Sequence, residues 1–196
     1  MTKEEIFQHF EKHEGVISHM YLDTVGQVTI GIGFMMPDPH SALAYRLVNR
    51  ATGMAASSQE KLTDWTNVSQ QAKGKIAGTY KKFTQLDMSD TEVRRVLDDK
   101  LRAFAESLRT RFAAFDTFPA TAQLALLDMI FNLGPNGLFK GFPKLCRAAD
   151  RLNWAGCAAE CKRIGISDDR NEDCKNLFLS AIPAPAPLRL TMRRIR

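Results

Sequence analysis

Two carboxylic acids and one hydroxyl group lie close together near the start of the chain, at Glu14, Asp23 and Thr29. Asp23 follows Glu14 by nine residues and Thr29 follows it by fifteen, so that one short hairpin can bring the three together. Glycoside hydrolysis uses such a set, because one carboxyl donates a proton to the leaving oxygen while the other stays ionised and handles a water molecule or the cationic sugar. Taken alone, the three residue types also fit solvated surface side chains.

The longer string around these residues is more specific. It contains His13-Glu14-Gly15, Tyr21-Leu22-Asp23-Thr24, Gly26 and Thr29-Ile30-Gly31-Ile32-Gly33. This string resembles the signature of the phage-type lysozymes, glycoside hydrolase family 24, and it keeps the family's spacing without a gap.

Segments farther along the chain extend the resemblance. Ser89-Asp90-Thr91-Glu92 is similar to the start of the helix that joins the family's two lobes, and residues 128–134 are similar to its buried central helix. Asn153-Trp154 and Arg170 also fall where the family has similar residues. The resemblance covers most of residues 5–34 and 88–180.

The resemblance implies a role for each matching residue. Glu14 would be the general acid, while Asp23 and Thr29 would hold the attacking water on the opposite face of the sugar, which inverts the anomeric centre. Arg170 would approach the catalytic glutamate from the second lobe in a supporting position. The residues expected to line the saccharide cleft between the lobes are Met35, Phe131 and Asn132. No cofactor is expected.

The implied activity is that of a muramidase, which hydrolyses the β-1,4 bond between N-acetylmuramic acid and N-acetylglucosamine in peptidoglycan. Two other functions fit the same residues: a chitinase-like hydrolase and a catalytically silent module that binds wall polymer. The complete catalytic set favours an enzyme, because a binding module has no need of all three residues. A phage endolysin, a bacteriocin and a secreted antibacterial effector would all present this pattern. We expect a monomer, with an immunity or inhibitor protein as a further partner.

The elements that position these residues are also predicted. Thr2 and Glu5 form a capping box that opens a first helix, and this helix ends near Gly15. In residues 16–33, β-branched and aromatic residues alternate with polar ones around a turn at residues 23–26. This pattern predicts a small antiparallel sheet that follows the helix.

The second half of the chain favours helices. A capping box at Ser89 and Glu92 opens a long amphipathic helix, and a buried central helix follows Pro119 and ends at Gly134. Three short helices are predicted at residues 141–152, 154–163 and 170–181. The predicted fold class is therefore α+β and predominantly helical, with a lysozyme-like, two-lobed arrangement. Its parts are one catalytic domain over residues 1–182, containing an N-terminal lobe (14–87), a connecting helix (89–110) and a helical C-terminal lobe (113–182).

One segment departs from the resemblance, because residues 35–87 are longer than the corresponding stretch in compact phage lysozymes. Pro37 and Pro39 interrupt it, while residues 42–48 and 72–83 have helical composition. We expect this insert to reshape substrate recognition or to bind another molecule. Phe34, just before the insert, stands where the family often has His, so an ion pair made there would be lost.

The charge of the chain is concentrated at its end. The formal net charge is +5, and Arg189, Arg193, Arg194 and Arg196 supply four of these units. A Pro-rich stretch opens this basic tail, residues 183–196, and should be extended. Nucleic acid is one polyanion that such a tail can touch, but no specific nucleic-acid partner is expected.

Neither the cysteines nor the histidines predict a metal site. The spacing of the four cysteines does not form paired zinc knuckles, and His9 and His13, one helical turn apart, lack a third ligand. The cysteines are instead expected to be buried, with disulfide bonds among them favoured because a wall enzyme works in oxidising surroundings. They are Cys146, Cys157, Cys161 and Cys174.

The site of action is expected to be the periplasm or the cell wall. No apolar run approaches the length of a transmembrane segment, and the N-terminus lacks the pattern of a signal peptide. Delivery by a pore, a secretion system or a larger parent protein is therefore expected.

Overall fold

A computed structural model describes residues 2–184 and confirms the predicted fold class, α+β and predominantly helical. In this part of the chain the helices are α1 (Lys3–Glu14), α2 (Ser58–Ser69), α3 (Asp90–Arg111), α4 (Ala120–Gly141), α5 (Pro143–Asp150), α6 (Trp154–Glu160) and α7 (Asp168–Ser180). The strands are β1 (Ile17–Leu22), β2 (Val28–Gly31), β3 (Phe34–Met36), β4 (Leu47–Asn49) and β5 (Leu86–Met88). Short 3₁₀ helices lie at Pro39–Ala44, Ala77–Phe83 and Phe115–Thr117. Nearly all of the predicted basic tail lies outside the described residues.

Two compact units divide the chain between Ala103 and Phe104. The first unit contains α1, both β-sheets, α2 and most of α3, whereas the second contains the remaining helices. None of the helices within residues 2–184 combines the length and the apolar character that a bilayer span requires.

Helix α1 begins and ends as the sequence predicts. The hydroxyl of Thr2 accepts a hydrogen bond from the backbone N–H of Glu5, and the carboxylate of Glu5 accepts one from the backbone N–H of Thr2. Gly15, with φ +68°, ends the helix. Phe7 and Phe10 are the buried residues of this helix. The chain therefore leaves the helix directly after Glu14.

A three-stranded antiparallel sheet, in the order β1-β2-β3, follows α1. One face of this sheet is apolar and buried, and its side chains form the core of the first unit. The register places Leu22, Val28 and Met36 opposite one another on this face, as it does Ile30 and Phe34. The sequence predicted the β1–β2 hairpin, but β3 was not separated from the segment that follows it.

The insert is folded differently from the prediction. Residues 42–48, predicted as helical, end a 3₁₀ helix and enter β4, which pairs with β5. Residues 72–83 contain only a 3₁₀ helix, while the α-helix of this segment is α2. The signal for α2 was its capping box, Ser57 with Glu60, in which each side chain binds the other residue's backbone N–H.

Polar side chains attach the insert to β1 at a bulge. Ile17 and Tyr21 are four residues apart in β1 but pair with residues only two apart in β2, so β1 has two extra residues. In this bulge the Ser18 hydroxyl donates to Asp87 at 3.2 Å. His19, which is buried, bonds through Nε2 to the carbonyl of Ala77 at 3.0 Å. The insert therefore packs on the strand that leads to Asp23.

Trp65 makes a second contact between the insert and the three-stranded sheet. Its indole N–H donates to the carbonyl of Met36 at 3.0 Å, which joins α2 to β3. Nearby, the buried carboxylate of Asp64 accepts from the backbone N–H groups of Gln85 and Leu86. Trp65 is therefore a packing residue that is only partly exposed.

The second unit is a helical assembly with an aromatic core. Phe118 contacts Trp154 edge to face, with ring centroids 5.0 Å apart, so Trp154 packs inside this unit. Helix α4 is interrupted at Gly134, where φ is +68° and ψ is +169°, and Pro135 follows. The predicted end of the central helix at Gly134 is therefore the position of this break.

All four cysteines are buried in the second unit as free thiols, so the structure has core cysteines in place of the disulfide bonds that the sequence favoured. Each sulfur faces the carbonyl oxygen of a different residue, which is the behaviour of small core side chains. Burial raises the pKa of Cys157 to about 12. A thiol with so high a pKa is a poor nucleophile near neutral pH, because it forms little thiolate.

Candidate functional site

Glu14 is the last residue of α1, and its carboxyl group turns towards the loop between β2 and β3. Its Oε2 lies 3.7 Å from the point that a Cβ atom on Gly33 would occupy. Gly33 has φ +65°, which L side chains rarely adopt, so the chain passes close to Glu14 without a side chain in between. The first and last parts of the motif, Glu14 and Gly33, therefore lie close together in the structure.

Asp23 lies directly after β1, in the tight turn that leads to β2. Its Oδ1 accepts three backbone hydrogen bonds, from Val25 at 3.0 Å, Gly26 at 2.8 Å and Gln27 at 2.8 Å. Within residues 2–184, the hydrogen bonds of this carboxylate all end on Oδ1. The turn therefore fixes the orientation of the carboxylate and leaves Oδ2 to accept from a further group.

Thr29 is in the central strand β2, on the face opposite the apolar core. The register places it directly between Tyr21 of β1 and Met35 of β3, and directly opposed residues share one face of a sheet. Met35 is 52% exposed, whereas Thr29 is only 3% exposed between its two neighbours. The hydroxyl of Thr29 donates to the carbonyl of Gln27 at 3.1 Å, so its oxygen can only accept from a ligand.

Tyr21 links the charges of this site, although the sequence did not single it out. Burial, and then the negative charges of Asp23 and Glu14, raise the pKa of its phenol. Both carboxylates therefore lie within electrostatic range of one hydroxyl group. The structure thus brings together Glu14, Asp23 and Thr29 around Tyr21, with Met35 on the same sheet face.

Phe34 stands at the position where the family often has His, and it makes aromatic contacts there. Its ring is buried, stacks on Tyr45 at a centroid distance of 6.3 Å, and has the ammonium group of Lys100 4.9 Å from its centroid. A cation–π contact therefore joins α3 to β3 at this position. Burial also lowers the pKa of Lys100.

Phe131 and Asn132 lie in the second unit, on α4. Phe131 is half-buried and contacts Phe104 edge to face, with centroids 6.1 Å apart, whereas Asn132 is exposed. Both side chains reach solvent, as a saccharide-binding residue must. Their predicted role in substrate binding stays a prediction.

Arg170 is part of a buried ionic cluster in the second unit. Its guanidinium donates to Oδ1 of Asp128 at 2.8 and 3.1 Å, and Arg163 donates to Oδ2 of the same carboxylate at 2.6 Å. The side-chain amide of Asn171 makes two hydrogen bonds to the backbone of Arg163, one as acceptor and one as donor. The sequence missed Asp128 and Arg163 as partners of Arg170, because they lie 42 and 7 residues away from it along the chain.

In the described part of the chain, no three His, Cys, Asp or Glu side chains are grouped so that they could hold a metal ion. No protein-family model matches the chain, and no curated protein matches it. The resemblance to phage-type lysozymes therefore rests on the sequence motif.

Proposed function

We propose that this protein is a muramidase of the inverting type, with Glu14 as general acid and with Asp23 and Thr29 holding the attacking water. The observation that supports this most strongly is the grouping of a carboxyl, a turn-fixed carboxylate and a hydroxyl acceptor in the first unit. Each of the three is positioned by a different element: the end of α1, the β1–β2 turn and strand β2.

The hydrogen-bond directions suit a water nucleophile. Oδ2 of Asp23 and the oxygen of Thr29 are both acceptors, since the Thr29 proton is used by Gln27. A water molecule that donates one hydrogen to each of them keeps its lone pairs free to attack the anomeric carbon. Asp23 then takes the proton that the water loses. The three amides on Oδ1 keep that carboxylate from turning away.

Glu14 supplies the other half of the reaction. In its protonated form it gives its proton to the glycosidic oxygen as the bond to the anomeric carbon breaks, so that the leaving sugar departs as a neutral alcohol. The acid and the water act from opposite faces of the sugar, and a β-linked substrate therefore yields an α-configured product.

The first test replaces Glu14→Gln, which keeps the shape of the side chain and removes the acidic proton. We expect clearing of outer-membrane-stripped cells to slow by about a hundredfold or more. The matched control is Glu11→Gln, on an exposed position of the same helix, which should clear the cells at the rate of the unchanged protein. Equal clearing rates for Glu14→Gln and the unchanged protein would reject Glu14 as the acid.

Analysis of the products separates the muramidase from its alternatives. New muramic acid reducing ends in the α configuration, detected by proton NMR soon after cleavage, are expected. A chitinase-like enzyme would instead release fragments from chitin, and a silent wall-binding module would sediment with peptidoglycan without releasing any fragment.

A further inference from the structure

Tyr21 has the position of a residue that contacts the reacting sugar. It is directly opposite Thr29 on the sheet face away from the core, and Asp23 follows it by two residues. A phenol extends several bonds farther from the strand than a threonine hydroxyl. The charges of Asp23 and Glu14 both act on the Tyr21 hydroxyl, which is therefore close enough to both carboxylates to share their site.

The hydroxyl of Tyr21 is available to a ligand. No hydrogen bond joins it to another group in residues 2–184, although the residue is half-buried. Tyr80, by contrast, is buried and donates to the carbonyl of Ala72 at 2.9 Å. A half-buried phenol that is not used by the fold, in range of two carboxylates, points to use by a substrate.

We propose that Tyr21 is a substrate-positioning residue, whose phenolic hydroxyl donates a hydrogen bond to the sugar held between Glu14 and Asp23. This inference rests on the proposed glycosidase function, because it assigns the same site one more contact. The phenol stays protonated at neutral pH, since burial and both negative charges raise its pKa, and it is therefore a constant donor. Hydrogen bonds to the substituents of the reacting sugar strengthen as its ring distorts towards the transition state, so this contact lowers the barrier more than it tightens ground-state binding.

The kinetic test is Tyr21→Phe, which removes only the hydroxyl. We expect kcat to fall by about tenfold, the value of one lost hydrogen bond, with KM changed by less than about twofold because a polymer has many other contacts. Tyr45→Phe is the matched control: Tyr45 is also half-buried, but burial alone raises its pKa. Its kcat should equal that of the unchanged protein, and the thermal midpoint of Tyr21→Phe should confirm that the fold is retained.

A second measurement tests the position of Tyr21 without any substrate. The chain has three tyrosines, and ring ¹³C labelling with Tyr→Phe assignment lets each phenol be titrated by NMR. In both Glu14→Gln and Asp23→Asn, we expect the pKa of Tyr21 to fall towards its ordinary value, because a negative charge is removed, while the pKa of Tyr45 stays constant. An unchanged Tyr21 pKa in both variants would overturn the placement.

The outcomes separate this inference from the proposed function. An active protein whose Tyr21→Phe variant keeps its full kcat overturns the role of Tyr21 alone. A protein that hydrolyses neither peptidoglycan nor chitin overturns both assignments, even if the titration places the hydroxyl between the two carboxylates.

Discussion

Thr29 is the residue whose role depends most on the direction of a single hydrogen bond. Its proton is donated to Gln27, so that its oxygen is left as an acceptor for water. Thr29→Val has nearly the same shape but no acceptor, and we expect kcat to fall by about tenfold. Thr29→Ser keeps the hydroxyl and should retain most of the activity, as measured by release of reducing ends.

The same substitutions also separate catalysis from stability. Thr29→Val removes one of the two donors to the carbonyl of Gln27, which keeps the backbone N–H of Asp23, so the loss should be about 1 kcal/mol of unfolding free energy. Activity should therefore be measured well below the unfolding midpoint of the variant. If Thr29→Val keeps its kcat there, the hydroxyl does not hold the water, and Asp23 alone must do so.

At the level of single residues, the motif pointed to the three residues that we propose as catalytic, but not to Tyr21. A tyrosine in a strand is ordinary, because aromatic residues favour sheets. What distinguishes Tyr21 is its register opposite Thr29 and its nearness to two carboxylates, and both depend on how β1 pairs with β2. Strand register of this kind follows from the bulge at residues 18–20, which sequence periodicity does not reveal.

Among the elements, the turn between β2 and β3 depends on two glycines in different ways. Both Gly31 and Gly33 have positive φ, so an alanine at either position costs about 1 kcal/mol in backbone strain. At Gly31 a Cβ atom would also lie 2.7 Å from the Phe34 ring, whereas at Gly33 the nearest atom is 3.7 Å away. The Phe34 ring cannot move aside easily, because it is buried against Tyr45 and Lys100.

Gly31→Ala should therefore destabilise the protein more than its matched control, Gly33→Ala. We expect the clash to add about 1–3 kcal/mol to the loss of unfolding free energy, as overpacking does in other cores. Urea denaturation followed by circular dichroism measures both variants. Equal losses would mean that the Phe34 ring yields, and that the contact with Lys100 does not hold it.

The elements also show where sequence reasoning ends. Helices with a capping box and a regular apolar stripe, such as α1 and α3, were predicted to within a few residues, because their signals are local. The insert was predicted poorly because its order comes from distant partners: β4 pairs with β5, and Asp64 binds the backbone of residues 85 and 86. Such long-range contacts leave no periodic trace in the sequence.

On the scale of the whole molecule, the two units are stabilised in different ways. The core of the first unit is an apolar sheet face, whereas the second unit buries Asp128 with two guanidinium groups. Asp128 and Arg163 are fully buried in their side chains, and Arg170 nearly so. The sequence indicated a buried helix that contains Asp128, but it did not indicate which cations accompany this carboxylate.

Replacement of this carboxylate should therefore destabilise the second unit strongly. Asp128→Asn keeps the shape of the side chain but removes the negative charge that two buried guanidinium groups share, and we expect a loss of about 3–5 kcal/mol in unfolding free energy. The matched control is Asp116→Asn, whose exposed pair with Arg109 should contribute less than about 1 kcal/mol.

The chain has two tryptophans, so a Trp65→Phe background leaves Trp154 fluorescence as a reporter of the second unit alone. If urea midpoints in this background are equal for the two variants, the buried cluster is not what stabilises the second unit, and its aromatic core around Phe118 and Trp154 must be sufficient.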